Sequence, residues 1–201
     1  MLDQKRHLFK DIDRKIGELF SIFPITPNQW TLISIFFGLV TFYFLTKQNL
    51  VLAITFFLIS AFIDSIDGAV ARFRNICTKL GAFLDTICDR YVEGLLLLGM
   101  LFLPLPYIFL PPAFWLFLVL FGSIITTYAK AASKEKDMTE VALKGGLLSR
   151  AERIILLLIA LLAGLINTNF YVTTYILITM AVLTNFTALQ RIYSAIKLNL
   201  D

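Results

Sequence analysis

Residues 51–73 read VLAITFFLISAFIDSIDGAVARF: an uncharged, mostly apolar run up to Ile63, then Asp64, Asp67 and Arg72 within ten residues. About 20 apolar residues in helical form match the hydrocarbon thickness of a bilayer, so this stretch reads as a membrane-crossing helix with a charged end. Asp64 and Asp67 stand i, i+3 and therefore share a helix face. A second acidic pair, Asp85 and Asp89, follows at i, i+4 in the next apolar segment.

The flanking sequence has the same character. Residues 95–122 (LLLLGMLFLPLPYIFLPPAFWLFLVLFG) and 154–166 (IILLLIALLAGLI) carry no charge. The 201-residue chain is 58% hydrophobic and only 16% charged, with a mean hydropathy of +0.80. Soluble domains are nearer half apolar and a quarter charged. Helices are the expected spanning elements, because lipid cannot satisfy open backbone groups and the alternation of a membrane β-barrel is missing. The expected fold is an all-α integral membrane protein with six transmembrane helices at about 28–46, 50–72, 82–104, 108–132, 147–167 and 170–193.

Residues 1–23 (MLDQKRHLFKDIDRKIGELFSIF) begin with mixed charge, so no signal peptide is expected. Leu8, Ile12, Ile16, Leu19 and Phe20 recur at helical spacing among Lys5, Lys10, Arg14 and Lys15. That pattern predicts an amphipathic helix on the membrane surface, over 1–23, ahead of a transmembrane domain over 24–201. Pro24 and Pro27 punctuate the start of the first span, and Pro104, Pro106, Pro111 and Pro112 mark the third-to-fourth turn. The sizeable polar insert is KAASKEKDMTEVALKGG, residues 130–146. Cys77 and Cys88 lack disulfide-framework or metal-site spacing. His7 reads as a surface residue, and Asn185-Phe186-Thr187 as a glycosylation pattern inside an apolar segment where no glycan would be attached.

Charge orients the spans. With the N-terminus on one side, that side collects Arg72, Arg74, Lys79, Arg90, Lys130, Lys134, Lys136, Lys144, Arg150, Arg153, Arg191 and Lys197. The other side receives Lys47. The positive-inside tendency makes the basic side, with both termini, cytoplasmic in a multi-pass protein of the cell membrane. The formal charge of +4 is thus membrane topology plus an anionic-ligand surface, and no nucleic-acid partner is implied.

The connection FRNICTKLG (73–81) is short enough to make the second and third spans antiparallel neighbours. Four carboxylates then converge at one membrane edge, where charge is costly and usually functional. A divalent cation resolves the repulsion, since hard cations take carboxylate oxygens together with substrate phosphates. Two other readings stand beside it. The aspartates form helix ends paired with Arg72, Arg74, Lys79 and Arg90, or they line a cation pathway in a transporter, whose acids usually lie nearer the bilayer midplane.

The run Asp64-x2-Asp67-Gly68-x2-Ala71-Arg72-x8-Gly81-x3-Asp85-x3-Asp89 resembles the complete signature of the CDP-alcohol phosphotransferase family at every fixed position and spacing. The six-span outline and the stretch PNQWT (27–31) are similar too. The resemblance implies a membrane-embedded transferase in which an acceptor hydroxyl attacks the lipid-bearing phosphate of a CDP-linked lipid and CMP leaves. It implies that Asp64, Asp67 and Asp85 ligate Mg²⁺ or Mn²⁺, two ions in all, and that Asp89 is the general base and a further ligand. Gly68, Ala71, Arg72 and Gly81 would line the CDP-alcohol site, with Asn28 and Thr31 facing the same cavity or capping the first span. A homodimer is also implied.

TYAKA (127–131) and GGLLSRAER (145–153) resemble the phosphatidylinositol-phosphate and archaetidylinositol-phosphate synthases of this family, as does Asp89-Arg90-Tyr91-Val92-Glu93. That likeness implies Lys130, Arg150 and Arg191 as residues for the phosphate of inositol phosphate, with Arg153 pairing with Glu152 or an aspartate. The competing reading of these basics is membrane topology alone. Two alternatives stand beside the inositol-phosphate reading: glycerol phosphate or serine as the acceptor, or CDP-inositol in place of the CDP-linked lipid as the donor to inositol phosphate.

Overall fold

A computed structural model describes residues 10–138 and 146–200. His7, Lys5, Leu8 and Lys144 lie outside the described residues. The described residues form seven helices: α1 (Lys10–Phe20), α2 (Pro27–Thr46), α3 (Leu50–Phe73), α4 (Lys79–Met100), α5 (Pro112–Glu135), α6 (Arg150–Ile166) and α7 (Tyr171–Leu200). A lone bridge between Ile108 and Leu110 is the β structure among them.

Helices α2, α3, α5 and α7 are long and apolar enough to cross a membrane. The sequence expects six spans, and the two others differ for separate reasons. Asp85, Asp89, Arg90 and Glu93 occupy the middle of α4 and break its apolar run. Helix α6 has 17 residues, about 26 Å at 1.5 Å per residue against a hydrocarbon core of about 30 Å. Boundaries also shift. The fourth expected span, α5, starts at Pro112 rather than near 108, because proline suits the first helical turn, where its missing N–H has no partner to lose.

The helices divide between two compact units, α1–α4 ending at Leu103 and α5–α7 beginning at Pro104. In the first, α2 packs on α3 and α4, and α1 packs on α3. Thr26 and Gln29 close a capping box at the start of α2, while Asn49 and Thr78 cap α3 and α4. Trp30, Ile63, Ile66 and Val70 form a buried cluster that Ile16 and Phe20 of α1 join. Phe20 meets Trp30 edge-on with ring centres 5.7 Å apart. Helix α1 therefore splits its apolar residues: Ile16 and Phe20 face protein, whereas Ile12 and Leu19 are 55% and 58% exposed. The Arg74 guanidinium staples the α1–α2 connection to the end of α3, donating to the carbonyls of Ser21, Phe23 (2.9 Å) and Ile25 (3.3 Å).

In the second unit, α7 packs on both α5 and α6. A Cβ at Gly122 would stand 2.7 Å from Thr184 Oγ1 and 2.8 Å from Asn185 N, so glycine sets the α5–α7 approach. Asn185, the glycosylation-like asparagine, is used inside this contact. Its Nδ2 donates to Leu118 O (2.9 Å) and Ala181 O (2.7 Å). Thr173 Oγ1 donates to Ala160 O (2.8 Å) between α7 and α6. Large apolar side chains such as Phe36, Phe62, Phe117 and Val182 point outward, as expected where lipid rather than water is the solvent.

Candidate active site

The end of α3 and the first turns of α4 carry the acidic residues. Asp64, Asp67 and Asp85 each offer a carboxylate oxygen, and these atoms all lie within 4.8 Å of one another. Two ligand atoms on opposite sides of a Mg²⁺ or Ca²⁺ ion are roughly 4–5 Å apart, so the three oxygens fit a common hard cation. At this separation two like charges repel by about 3 kcal/mol for an effective dielectric of about 20, a cost that a bound cation reverses. Asp89 stands one turn beyond Asp85 on α4 and is 6% exposed. A further turn on, the buried Glu93 accepts a hydrogen bond from Arg90 Nη1 at 2.7 Å.

Beside the cluster lies a cavity of about 380 Å³ lined by three helices and the α3–α4 connection. Helix α2 contributes Asn28 and Thr31, and α3 contributes Asp67, Gly68, Ala71 and Arg72. Gly81 and Asp85 come from α4. Every residue the sequence assigned to the CDP-alcohol site thus meets on one cavity. Thr31 does not cap α2, whose N-cap is Thr26; its hydroxyl hydrogen-bonds the Asp67 carboxylate as well as approaching Pro27 O at 3.1 Å. Gly81 keeps the cavity open: a Cβ there would stand 3.2 Å from both Asn28 Oδ1 and Thr78 Oγ1. Of the basic residues the sequence offered as helix-end partners, Arg72 pairs with Asp13 and Arg74 with backbone carbonyls.

The basic residues assigned to the acceptor all belong to the second unit. Lys130 is exposed on α5, and Arg150 is half-buried at the first position of α6. Arg191 of α7 donates to Thr126 O at 3.0 Å, one helical turn before Lys130 on α5. Arg153 is 2% exposed. Glu152, one of the partners the sequence offered for it beside an aspartate, also closes a capping box by accepting from Ser149 N at 2.7 Å.

A family model for CDP-alcohol phosphatidyltransferases matches residues 24–187. The chain belongs to this family. It is 32% identical to the archaetidylinositol phosphate synthase of Pyrococcus horikoshii, covering 98% of this chain and 97% of that one. It is also 32% identical to a bifunctional IPC transferase and DIPP synthase of Thermococcus kodakarensis, over 96% of this chain but only 44% of that longer protein. Crystal structures of the Mycobacterium tuberculosis phosphatidylinositol phosphate synthase share the fold. The form with CDP-DAG bound has a TM-score of 0.78 at 22% identity, covering 92% of this chain and 94% of that one. The form with manganese and citrate has a TM-score of 0.77 at 22% identity, over 91% and 88%.

For a CDP-alcohol phosphotransferase, sequence reasoning overlooked part of the cavity wall. Thr26, Ile76, Cys77 and Thr78 also line it. Thr78 had a readable signal, because a threonine three residues before Gly81 and just ahead of an apolar run is a helix N-cap; its Oγ1 accepts from Gly81 N at 3.0 Å. Cys77 and Ile76 had none, since they sit in the α3–α4 connection, where no local pattern marks a cavity wall.

Proposed function

We propose that this enzyme transfers the lipid-bearing phosphate group of a CDP-linked lipid to inositol phosphate, releasing CMP, as a step of phospholipid synthesis. The observation that carries the donor half is the meeting of Asp67, Asp85, Gly68, Ala71 and Arg72 on one cavity. End-to-end similarity to an archaetidylinositol phosphate synthase supports the acceptor half.

Asp64, Asp67 and Asp85 would hold the divalent metal, Mg²⁺ or Mn²⁺, and Asp89 would help to hold a second ion. Bound there, the metal supplies neutralisation of the donor diphosphate and of the charge that develops on CMP. Asp89 accepts the proton of the acceptor hydroxyl. The hydroxyl oxygen forms a bond to the lipid-bearing phosphorus, and the bond from that phosphorus to the oxygen of CMP breaks. Arg72 binds the diphosphate, and Gly68, Ala71, Gly81, Asn28 and Thr31 shape the cavity for the CDP moiety. Lys130, Arg150 and Arg191 hold the acceptor phosphate. The hydrogen bond from Arg191 to Thr126, one turn from Lys130, supports that grouping. Charge asymmetry along the chain supports a cytoplasmic site and cytoplasmic termini.

The test is CMP release by the full chain in vesicles containing CDP-diacylglycerol or its ether-linked counterpart. Inositol phosphate, glycerol phosphate, serine and free inositol are supplied separately, with and without Mg²⁺ or Mn²⁺. Turnover with inositol phosphate that needs the metal is expected. Preference for serine or free inositol would overturn the acceptor assignment. The Thermococcus relative motivates one added arm, CDP-inositol as donor. Faster turnover in that arm would replace the lipid donor with a soluble one.

A further inference from the structure

Asp13 lies outside both the signature and the matched family segment, which begins at residue 24. Its carboxylate nevertheless grips the signature arginine through two hydrogen bonds, Arg72 Nε to Oδ2 at 2.8 Å and Arg72 Nη2 to Oδ1 at 2.6 Å. Such a fork fixes the plane of the guanidinium as well as its position. The edge it uses is the Nε–Nη2 side, which leaves the Nη1–Nη2 end for a second anion.

Two close approaches build this geometry. Asp13 and Gly17 are i, i+4 on α1 and share a face. A Cβ at Gly17 would stand 2.6 Å from Ala69 O and 2.8 Å from Phe73 Cβ, so only glycine lets α1 come close enough to α3. On α3 the Arg72 side chain folds back one turn over Gly68. A Cβ there would stand 2.9 Å from Nη1 and 3.2 Å from Nη2. Gly68 and Arg72 line the same cavity, so the Nη1–Nη2 end of the guanidinium lies against the cavity wall. The side chains of Arg72 and Asp13 are 55% and 35% exposed. A pair with that much solvent contact adds little to fold stability, so its consequence is geometric.

We propose that Asp13 is a positioning residue: carried by α1, it holds Arg72 by one edge so that the other edge meets a phosphate of the CDP-linked donor. The inference rests on the reading above that Arg72 binds the donor diphosphate. The test uses the full chain reconstituted in vesicles of stated CDP-diacylglycerol content, with donor KM, acceptor KM and kcat measured for Asp13→Asn, Asp13→Glu and Arg72→Ala. Inhibition by free CDP gives a readout independent of turnover. Asp13→Asn is expected to raise the donor KM and weaken CDP inhibition roughly tenfold, the scale of one charged hydrogen-bonding group losing its orientation. Acceptor KM and melting temperature should stay at the wild-type values, and Asp13→Glu should recover part of the loss. If Arg72→Ala raises the donor KM while Asp13→Asn leaves it unchanged, the positioning role fails and the donor reading stands. If Arg72→Ala leaves the donor KM and CDP inhibition unchanged, the donor reading itself fails. Tighter donor binding in Asp13→Asn would make Asp13 a competitor for Arg72, and a general loss with a lowered melting temperature would make it a structural anchor; either overturns the proposal.

Discussion

Thr31 of α2 donates a hydrogen bond to the carboxylate of Asp67 on α3, tying two helices together at the edge of the acidic cluster. Both side chains are buried, at 4% and 6% exposure. A carboxylate that accepts such a bond is fixed in orientation beside Asp64 and Asp85, with which it offers oxygens within 4.8 Å of one another. Outer partners of metal-binding carboxylates typically matter by 10–100-fold in metal affinity. Thr31→Val keeps the shape and removes the donor. The Mn²⁺ concentration giving half-maximal CMP release should rise roughly tenfold, whereas Thr31→Ser should stay near wild type. Unchanged metal dependence in the valine variant would reduce Thr31 to a packing residue.

Removing one carboxylate from the cluster should separate function from stability. In the presence of chelator, Asp85→Asn relieves repulsion among oxygens within 4.8 Å of one another. It should therefore be more stable than the wild type by about 1–3 kcal/mol, on the scale of like charges at this distance, and melt higher. Added Mg²⁺ or Mn²⁺ should raise the melting temperature of the wild type by mass action and leave the variant nearly unmoved. CMP release by the variant should be lost. A variant that melts lower in chelator would mean that the cluster is held by protein groups alone.

Arg74 and Arg72 are two residues apart, yet the structure uses them differently. The Arg74 guanidinium satisfies carbonyls of Ser21, Phe23 and Ile25 and has no place on the cavity wall. Arg74→Ala leaves those carbonyls without their donor, at a cost of about 1–3 kcal/mol. The expected result is a lower melting temperature with an unaltered donor KM. A raised donor KM at wild-type stability would place Arg74 in the binding machinery instead.

Helix α5 depends on Gly122 for its approach to α7, where a Cβ would stand 2.7 Å from Thr184 Oγ1 and 2.8 Å from the Asn185 backbone. The backbone cannot yield as a side-chain tip can. Gly122→Val should cost about 1–3 kcal/mol through overpacking and lower the yield of folded protein in detergent, as read by size-exclusion chromatography and thermal melting. Wild-type melting of the valine variant would show that the two helices separate without penalty.

What the sequence made readable follows from distance along the chain. The eight signature residues fall within Asp64–Asp89, on adjacent turns of two helices joined by a short connection, so spacing alone puts Asp64, Asp67 and Asp85 together. The pairing of Asp13 with Arg72 spans 59 residues and depends on Gly17, a glycine with no local motif around it. Nothing near either residue announces that contact. Helix α4 illustrates the opposite difficulty. The residues that make it chemically recognisable, Asp85, Asp89, Arg90 and Glu93, are those that erase its membrane-span signal. The basic residues Lys130, Arg150 and Arg191 are distributed over three helices, and each is equally explained one at a time by topology.

That ambiguity has a kinetic answer. If Lys130 and Arg150 hold the phosphate of the acceptor, Lys130→Ala and Arg150→Ala should raise the acceptor KM by roughly 10-fold or more, the scale of a charged hydrogen bond, with the donor KM little changed. The discrimination should depend on the acceptor's phosphate, so turnover with unphosphorylated inositol, slow in the wild type, should be indifferent to either substitution. Arg191 carries a second duty, because its guanidinium donates to Thr126 O. Arg191→Ala should therefore raise the acceptor KM and also lower the melting temperature, whereas Arg191→Lys should recover stability better than affinity, a single ammonium replacing a fork. Equal changes in donor and acceptor KM for Lys130→Ala and Arg150→Ala would assign both residues to membrane topology.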